Sequence, residues 1–327
     1  MPCPAHTTAR QHGVALITAL LVVALATVLA VSLVEHLYFD IRRTENITRL
    51  DQAQLYNSNA TEFGMGMLRL DRKSNNEYDT LAEYSDANEQ VFPVTGGQVF
   101  AKILDQQGCF NLNNLSKTNS ELKRYREIYG RLLANIGIDI TIQPTLIDSL
   151  VDWLDPDDLT EPQGAEFDYY LGLEKPYRTA NQLMVSPSEL RLVKGYTAQI
   201  IDKISPYVCV LPDVKTGINV NTARAEVLDA FPGLKDRGKQ IVSDRDGDPK
   251  KTDDDAPFAT LNDFQDYVKT TLGVKKFDSK GLQVYSEYFM MQSNTQLGTG
   301  DVRLYSIIFR SQNDGSTRLV RQTRGAL

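Results

Sequence analysis

From Val14 to Val34 the chain carries no charge, no proline and no glycine. At 1.5 Å of rise per residue such a run crosses a hydrocarbon layer of about 30 Å as one helix, which commits the first segment to a membrane before any other element is considered. Ahead of it lies a short polar stretch, Met1 to Gly13, whose one formal charge is Arg10. A secretory leader places its small-residue cleavage site after the apolar core. Here the candidate cleavage residue, Gly13, stands before the apolar run, so a cut after it leaves the hydrophobic segment on the mature chain with Val14 as the new amino terminus. An uncut signal anchor is the alternative. The fifth residue from Val14 is Thr18, a side chain without charge.

Beyond Val34 the apolar positions Leu37, Ile41, Leu50, Leu55, Phe63, Met67 and Leu70 recur every three or four residues or so among charges. This predicts one long helix from Val14 to about Leu70, unless Gly64 and Gly66 break it into two. Asp71 to Gln90 reads as a polar surface loop. From Gln98 the period changes to two, and Asp105-Gln106-Gln107-Gly108 is a turn before Cys109 to Leu115, so the pattern predicts strand, turn, strand. Helical spacing then returns in Ser120–Ile136, Pro144–Leu154, Ser188–Val193 and Ala223–Ala230. Alternation resumes in Val284–Ser293 and Val302–Gln312, followed by a turn at Asn313–Ser316 and a short strand to Arg321. The order is that of an α+β chain with a helical region inserted into a sheet. Tyr177–Leu183 and Phe258–Phe264 form a weak repeat, each with a threonine placed to cap a helix.

At 327 residues, 42% of them hydrophobic, the chain can bury a sizeable core. Loss of Arg10 with the leader would leave 34 basic against 42 acidic residues. That balance argues against a nucleic-acid partner and suits a hard cation. Cys3 falls in the leader, while Cys109 and Cys209 lie beyond the apolar run. In an oxidising compartment those two suggest one disulfide, with two buried free thiols as the alternative. The histidines are His6, His12 and His36, from which no catalytic triad can be built, and no phosphate loop or zinc-spaced ligand set appears, so the chain reads as a non-enzyme.

Acidic residues are concentrated in Asp152-Trp153-Leu154-Asp155-Pro156-Asp157-Asp158, followed by Gly164-Ala165-Glu166-Phe167-Asp168. Calcium takes six to eight oxygen ligands from carboxylates and carbonyls on a bending loop. As an EF-hand loop the stretch fails, because Leu159 holds the fifth place and Thr160 the place of the required glycine, so a calcium loop of another kind is expected. Acids capping helix ends on a solvated surface are the alternative. Asp244, Asp246 and Asp248 have cation-loop spacing with Asp255 at the twelfth place, but Pro249 and two lysines favour a solvated loop over a second metal site. Ile218 to Ala223, with Val227-Leu228 and Phe231 to Leu234, resembles the helix-hairpin-helix modules that hold DNA phosphates, without their tight Gly-apolar-Gly turn.

The glycine before an apolar run resembles the type IV prepilin class, in which a prepilin peptidase cuts after the glycine and methylates the new terminus, here Gly13 and Val14. Most of that class carry glutamate where this chain has Thr18. Together with Gly108-Cys109-Phe110-Asn111-Leu112-Asn113-Asn114-Leu115, the Asp-Trp-Leu-Asp and Gly-Ala-Glu elements and Ile218 to Ala223, this departure resembles the protein K family of type II secretion. The resemblance implies a pilin-like fold with a large inserted helical domain. Its expected divisions are a leader 1–13, a membrane helix 14–34, a pilin-like part 35–116, an insertion 117–283 and C-terminal strands 284–327. It implies calcium ligands at Asp155, Asp157 and Glu166, with Asp168 as a further candidate, and a disulfide between Cys109 and Cys209. It also implies a single-pass inner-membrane protein facing the periplasm, which caps a pseudopilus with minor pseudopilins I, J and H and binds no nucleic acid. The competing expectation is a competence or type IV pilus minor pilin that binds DNA through the helix-hairpin-helix segment.

Overall fold

The computed structural model describes residues 12–74, 77–84, 88–247 and 257–325. Most of the expected leader, residues 1–11, lies outside the described residues. The chain divides into two compact units, residues 1–55 and 56–327.

The first unit contains the greater part of α1, His12–Lys73. Every residue from Val14 to Val34 is exposed, as lipid-facing side chains would be, and this is the one helix among the described residues long and apolar enough to cross a membrane. The two threonines of this run are satisfied internally. Thr18 Oγ1 donates back to the carbonyls of Val14 (3.1 Å) and Ala15 (3.0 Å), and Thr27 does the same to Val23.

The second unit begins with the last turns of α1 and then runs β1 (Gln90–Val94), β2 (Gly97–Asp105), β3 (Phe110–Asn111), α2 (Leu122–Asn135) and α3 (Gln143–Leu154). It continues through α4 (Phe167–Leu171), α5 (Ala198–Ile204), β4 (Val208–Cys209), β5 (Ile218–Asn219), α6 (Ala225–Asp229), α7 (Gly238–Asp246), α8 (Leu261–Thr270) and β6 (Leu282–Gln283). It closes with β7 (Tyr288–Leu297), β8 (Gly300–Arg310) and β9 (Thr317–Arg324). Five strands form one antiparallel sheet in the order β1-β2-β7-β8-β9. β2 pairs with β7 directly, Asp105 opposite Phe289, so everything between Asp105 and Tyr288 leaves the sheet and returns to it.

Both sheet faces are covered. Val99, Ala101, Ile103, Phe289, Met291 and Ile308 pack with Ala60, Met65 and Leu68 of α1. Gly64 does not break the helix: an added Cβ would stand 3.1 Å from Met291 Sδ, so the glycine permits a close approach to the sheet. On the other face Tyr288, Met290 and Ile307 meet Cys209 and Leu211 of the insertion. A separate core, from Phe110 to Val284, belongs to the inserted helices. Phe110, Leu112 and Leu115 are in that core and not under the sheet.

Several expectations need correction. Cys109–Leu115 is not a sheet strand, because only Phe110 and Asn111 pair, in parallel with β4, before a 3-10 turn at Leu112–Leu115. Asn111 turns the chain by accepting the Asn113 N–H at 3.1 Å. Thr260 does cap α8, in a capping box with Asp263, whereas Tyr177–Leu183 forms no helix and Asn181 there has φ 46°. β1, α5 and α7 were not anticipated.

The insertion contains long stretches without a ladder, and buried side-chain amides replace one. Asn113, wholly buried, donates to the carbonyls of Met184 (3.0 Å) and Leu211 (2.8 Å) and accepts the Met184 N–H (2.9 Å). Asn111 binds Leu211 N and Asp213 O, Asn114 binds both backbone groups of Thr216, and Asn221 binds both of Phe258. Gln107 joins Gly217 O to Tyr288 N, and Asn219 reaches Asp79 O. Cys109 and Cys209 form a disulfide beside these contacts, with Cα atoms 5.8 Å apart. At the end of β8 the buried Arg310 pairs with Asp79 (2.6 Å) and Asp71 (2.7 Å) and lies over the Phe289 ring.

Asn113→Leu would orphan one N–H and two carbonyls in a dry interior. At about 1–3 kcal/mol for each unsatisfied group, it should cost roughly 3 kcal/mol or more in denaturant unfolding of the detergent-solubilised chain. Asn135→Ala, at an exposed amide, should change stability by no more than about 0.5 kcal/mol. Equal effects would contradict the pegging role.

Candidate metal centre

Helix α3 sets up the acidic site. Leu146, Leu150, Val151 and Leu154 face the core. That orientation leaves Asp148 and Asp152, one turn apart, on a common face, with Asp155 as the C-cap residue. The loop that follows is wound onto these carboxylates. Asp152 Oδ1 accepts Glu161 N (3.0 Å) and Asp152 Oδ2 accepts Ala165 N (2.8 Å). Asp148 Oδ2 accepts Gln163 N (3.1 Å), and Asp155 Oδ1 accepts Asp157 N (3.1 Å). Gly164 lies so close that an added Cβ would stand 1.8 Å from Asp152 Oδ2. The loop then enters α4, where Tyr170 packs edge-on against Trp153.

This winding brings Asp152, Asp155 and Glu166 together, each offering one oxygen within 4.8 Å of the others. They are the one such group among the described residues. All three are buried, Glu166 at 4% exposure, and neither Glu166 carboxylate oxygen has a hydrogen-bond partner. Asp155 Oδ2 also lacks a hydrogen bond of good geometry, but Lys117 Nζ stands 2.7 Å from it as an ion pair. Burial first, and then the charges of Asp152, Asp155 and Asp158, push the Glu166 carboxyl up to about 8. Burial likewise pushes Asp152 up to about 6 and raises Asp155 despite Lys117. The site is therefore short of positive charge. Its donors are carboxylates on a bend, with no sulfur or imidazole, which fits a hard cation of the calcium kind and does not fit zinc.

Of the ligands that the resemblance implies, the structure brings Asp155 and Glu166 together, and Asp152 completes the cluster. Its i, i+3 relation to Asp155 on a helix that ends there was the available signal. Asp157 is at the rim, its side chain 43% exposed and its Oδ1 accepting Leu159 N. Asp168 is exposed in the first turn of α4, outside the cluster. Asn181 donates to Asp158 Oδ1 (3.1 Å), tying a second loop to this one.

In the other acidic stretch, Asp244 and Asp246 are on α7 and not in a loop. Asp244 accepts from the Tyr267 hydroxyl and Asp246 pairs with Arg245, while Asp248 and Asp255 lie outside the described residues. The helix-hairpin-helix resemblance is carried by α6, a turn at Gly233 with φ 91°, and α7. The amides at the start of α7 are already occupied: Asp229 Oδ1 accepts Arg237 N (2.8 Å) and Gly238 N (2.6 Å). A carboxylate of the chain itself thus holds these two amides.

Comparison with known proteins separates the families. A family model described as type II secretion system, protein K, matches residues 108–213, which include Asn111, Asn113, Asn114 and the acidic loop. Type II secretion system protein K of Aeromonas hydrophila is 30% identical over 97% of this chain and 98% of its own. The chain belongs to the type II secretion system protein K family. Protein K of Pseudomonas aeruginosa is 33% identical over 96% of this chain and 93% of that one. The fold also matches a chain in the crystal structure of the GspK-GspI-GspJ complex from enterotoxigenic Escherichia coli, with TM-score 0.73 and 23% identity over 87% of this chain and all of that one. A pilin-like α+β protein with inserted helices is thus the fold of this protein K family member.

The raised carboxyls dictate a pH dependence. Glu166 keeps its proton in the folded chain up to about pH 8, whereas the unfolded chain releases it near the ordinary glutamate value of 4.5. The ion-free protein therefore loses stability as pH rises through that window. In chelator the unfolding temperature should fall between about pH 5 and pH 8, and Glu166→Gln should remove most of the fall. A flat wild-type profile would contradict the charge deficit.

Proposed function

We propose that this chain is a minor pseudopilin that caps the pseudopilus of a type II secretion system and initiates its assembly, serving export of folded proteins from the periplasm across the outer membrane. Membership of the protein K family carries this reading. The helix from Val14 is the inner-membrane anchor, and the domains that follow are periplasmic, a compartment in which Cys109 and Cys209 oxidise. Thr18 supports a terminal place, since it offers no carboxylate to the amino terminus of a subunit stacked above. The excursion between β2 and β7 adds a bulk that obstructs such a subunit. The role is mechanical and involves no catalysis.

The related Escherichia coli chain was solved with GspI and GspJ, and the corresponding minor pseudopilins I and J are the proposed partners here, with H next below. Prepilin peptidase cuts after Gly13 and methylates Val14. Calcium is the proposed ion at Asp152, Asp155 and Glu166, where it supplies the missing positive charge and fixes the loop between α3 and α4.

Coexpression with candidate I and J subunits should yield one detergent-stable complex on gel filtration, and intact mass should show a chain beginning at methylated Val14. Failure of the three to associate, or a chain that retains Met1 to Gly13, would contradict the proposal.

A further inference from the structure

Lys117 comes from outside the acidic loop. It follows the 3-10 turn Leu112–Leu115, and its backbone is fixed by the pegs around it: Ser116 N donates to Asn113 O at 3.1 Å, and Asn119 Nδ2 donates to Asn114 O at 2.8 Å. From there its ammonium reaches Asp155 Oδ2 (2.7 Å), Asp157 Oδ2 (3.6 Å) and Glu161 Oε1 (3.7 Å). The oxygen it contacts on Asp155 is the one that accepts no backbone N–H, since Oδ1 is bound to Asp157 N. Arg126 neutralises the far side of the loop, pairing with Asp148 and Glu161. Asp152 and Glu166 receive neither base, and both oxygens of the buried Glu166 stay unpartnered.

We propose that Lys117 is the built-in counter-cation of this site: its ammonium holds Asp155 when no metal is bound, and a divalent ion must displace it to use that oxygen. This rests on the calcium reading above and extends it to what sets the affinity. Two cations cannot share one carboxylate oxygen in a desolvated site without strong repulsion. The lysine stem is flexible and 25% exposed, so the head can move to water when the ion enters. Such an exchange keeps Asp155 paired in both states and makes binding weaker than the bare carboxylates would give. It also makes the loop's order less dependent on calcium, because one tether replaces another.

The test is calorimetric titration of calcium chloride into the chelator-stripped, detergent-solubilised full chain, comparing wild type, Lys117→Met and Lys117→Arg. Methionine keeps the length of the stem and removes the charge; arginine keeps the charge. Lys117→Met should bind calcium about tenfold more tightly or better, yet unfold at a lower temperature than wild type in chelator and at an equal or higher one in calcium. Lys117→Arg should bind no more tightly than wild type, which separates charge from packing. If wild type binds calcium and Lys117→Met binds equally or more weakly, the counter-cation role is wrong. If only Lys117→Met binds, the displacement barrier stands and calcium is not the wild-type ligand. If neither binds, both the calcium reading and the role of Lys117 fall.

Discussion

Two sheet neighbours, β2 and β7, are joined by a path that leaves at Asp105 and comes back at Tyr288, and every buried backbone group on that path needs a partner. Helices satisfy their own groups, but among the described residues the segments between them pair as strands only in two-residue bridges, β3 with β4 and β5 with β6. The deficit is met by asparagine and glutamine side chains, each able to donate and accept at once as a peptide does. Asn111, Asn113 and Asn114 grip the segment Leu211–Thr216, and Asn113 also grips Met184. Gln107 ties Gly217 to Tyr288, at the root of the excursion. The Cys109–Cys209 disulfide lies in the same seam.

The acidic site inherits its order from that seam. Its lysine closely follows the pegged turn, and Asp152 and Asp155 project from the end of α3, which packs on the same core as Leu112 and Leu115, while Glu166 arrives at the start of α4. A loop of like charges would normally splay apart. Here Asp148 and Asp152 collect the loop's own N–H groups, and the unbonded oxygens of Glu166 are left facing Asp152 and Asp155. The result is a preorganised hole for positive charge, close to the one tryptophan of the chain.

What could be read from the sequence follows from which interactions are local. The apolar run announces itself by length and lack of charge, and α2, α3 and the last hairpin by period, because burial of one face repeats along the chain. The strand misread at Cys109–Leu115 shows the limit: its apolar residues alternate with asparagines whose partners lie about 100 residues away, and no local pattern reveals a peg. The acidic stretch itself stood out by composition, but Asp155 and Glu166 were singled out by the family resemblance, because the EF-hand spacing fails at Leu159 and Thr160. Asp152 is harder to read because, inside a helix, its carboxylate is aimed by where α3 ends, and Asp168, a candidate through the resemblance alone, is carried away from the cluster by the first turn of α4. Asp244 and Asp246 have cation-loop spacing, but the stretch expected as a solvated loop is helix α7 as far as Asp246.

In the proposed cation site, the end of α3 and the loop after it join Asp152, Asp155 and Glu166 around one ion. Terbium luminescence tests it directly, because Trp153 is the only tryptophan and neighbours Asp152. Excitation of the indole in the chelator-stripped chain should produce sensitised terbium emission that calcium displaces, and a variant carrying Asp152→Asn and Glu166→Gln should show none. Absence of sensitised emission in the wild type, or emission that calcium leaves unchanged, would contradict the account.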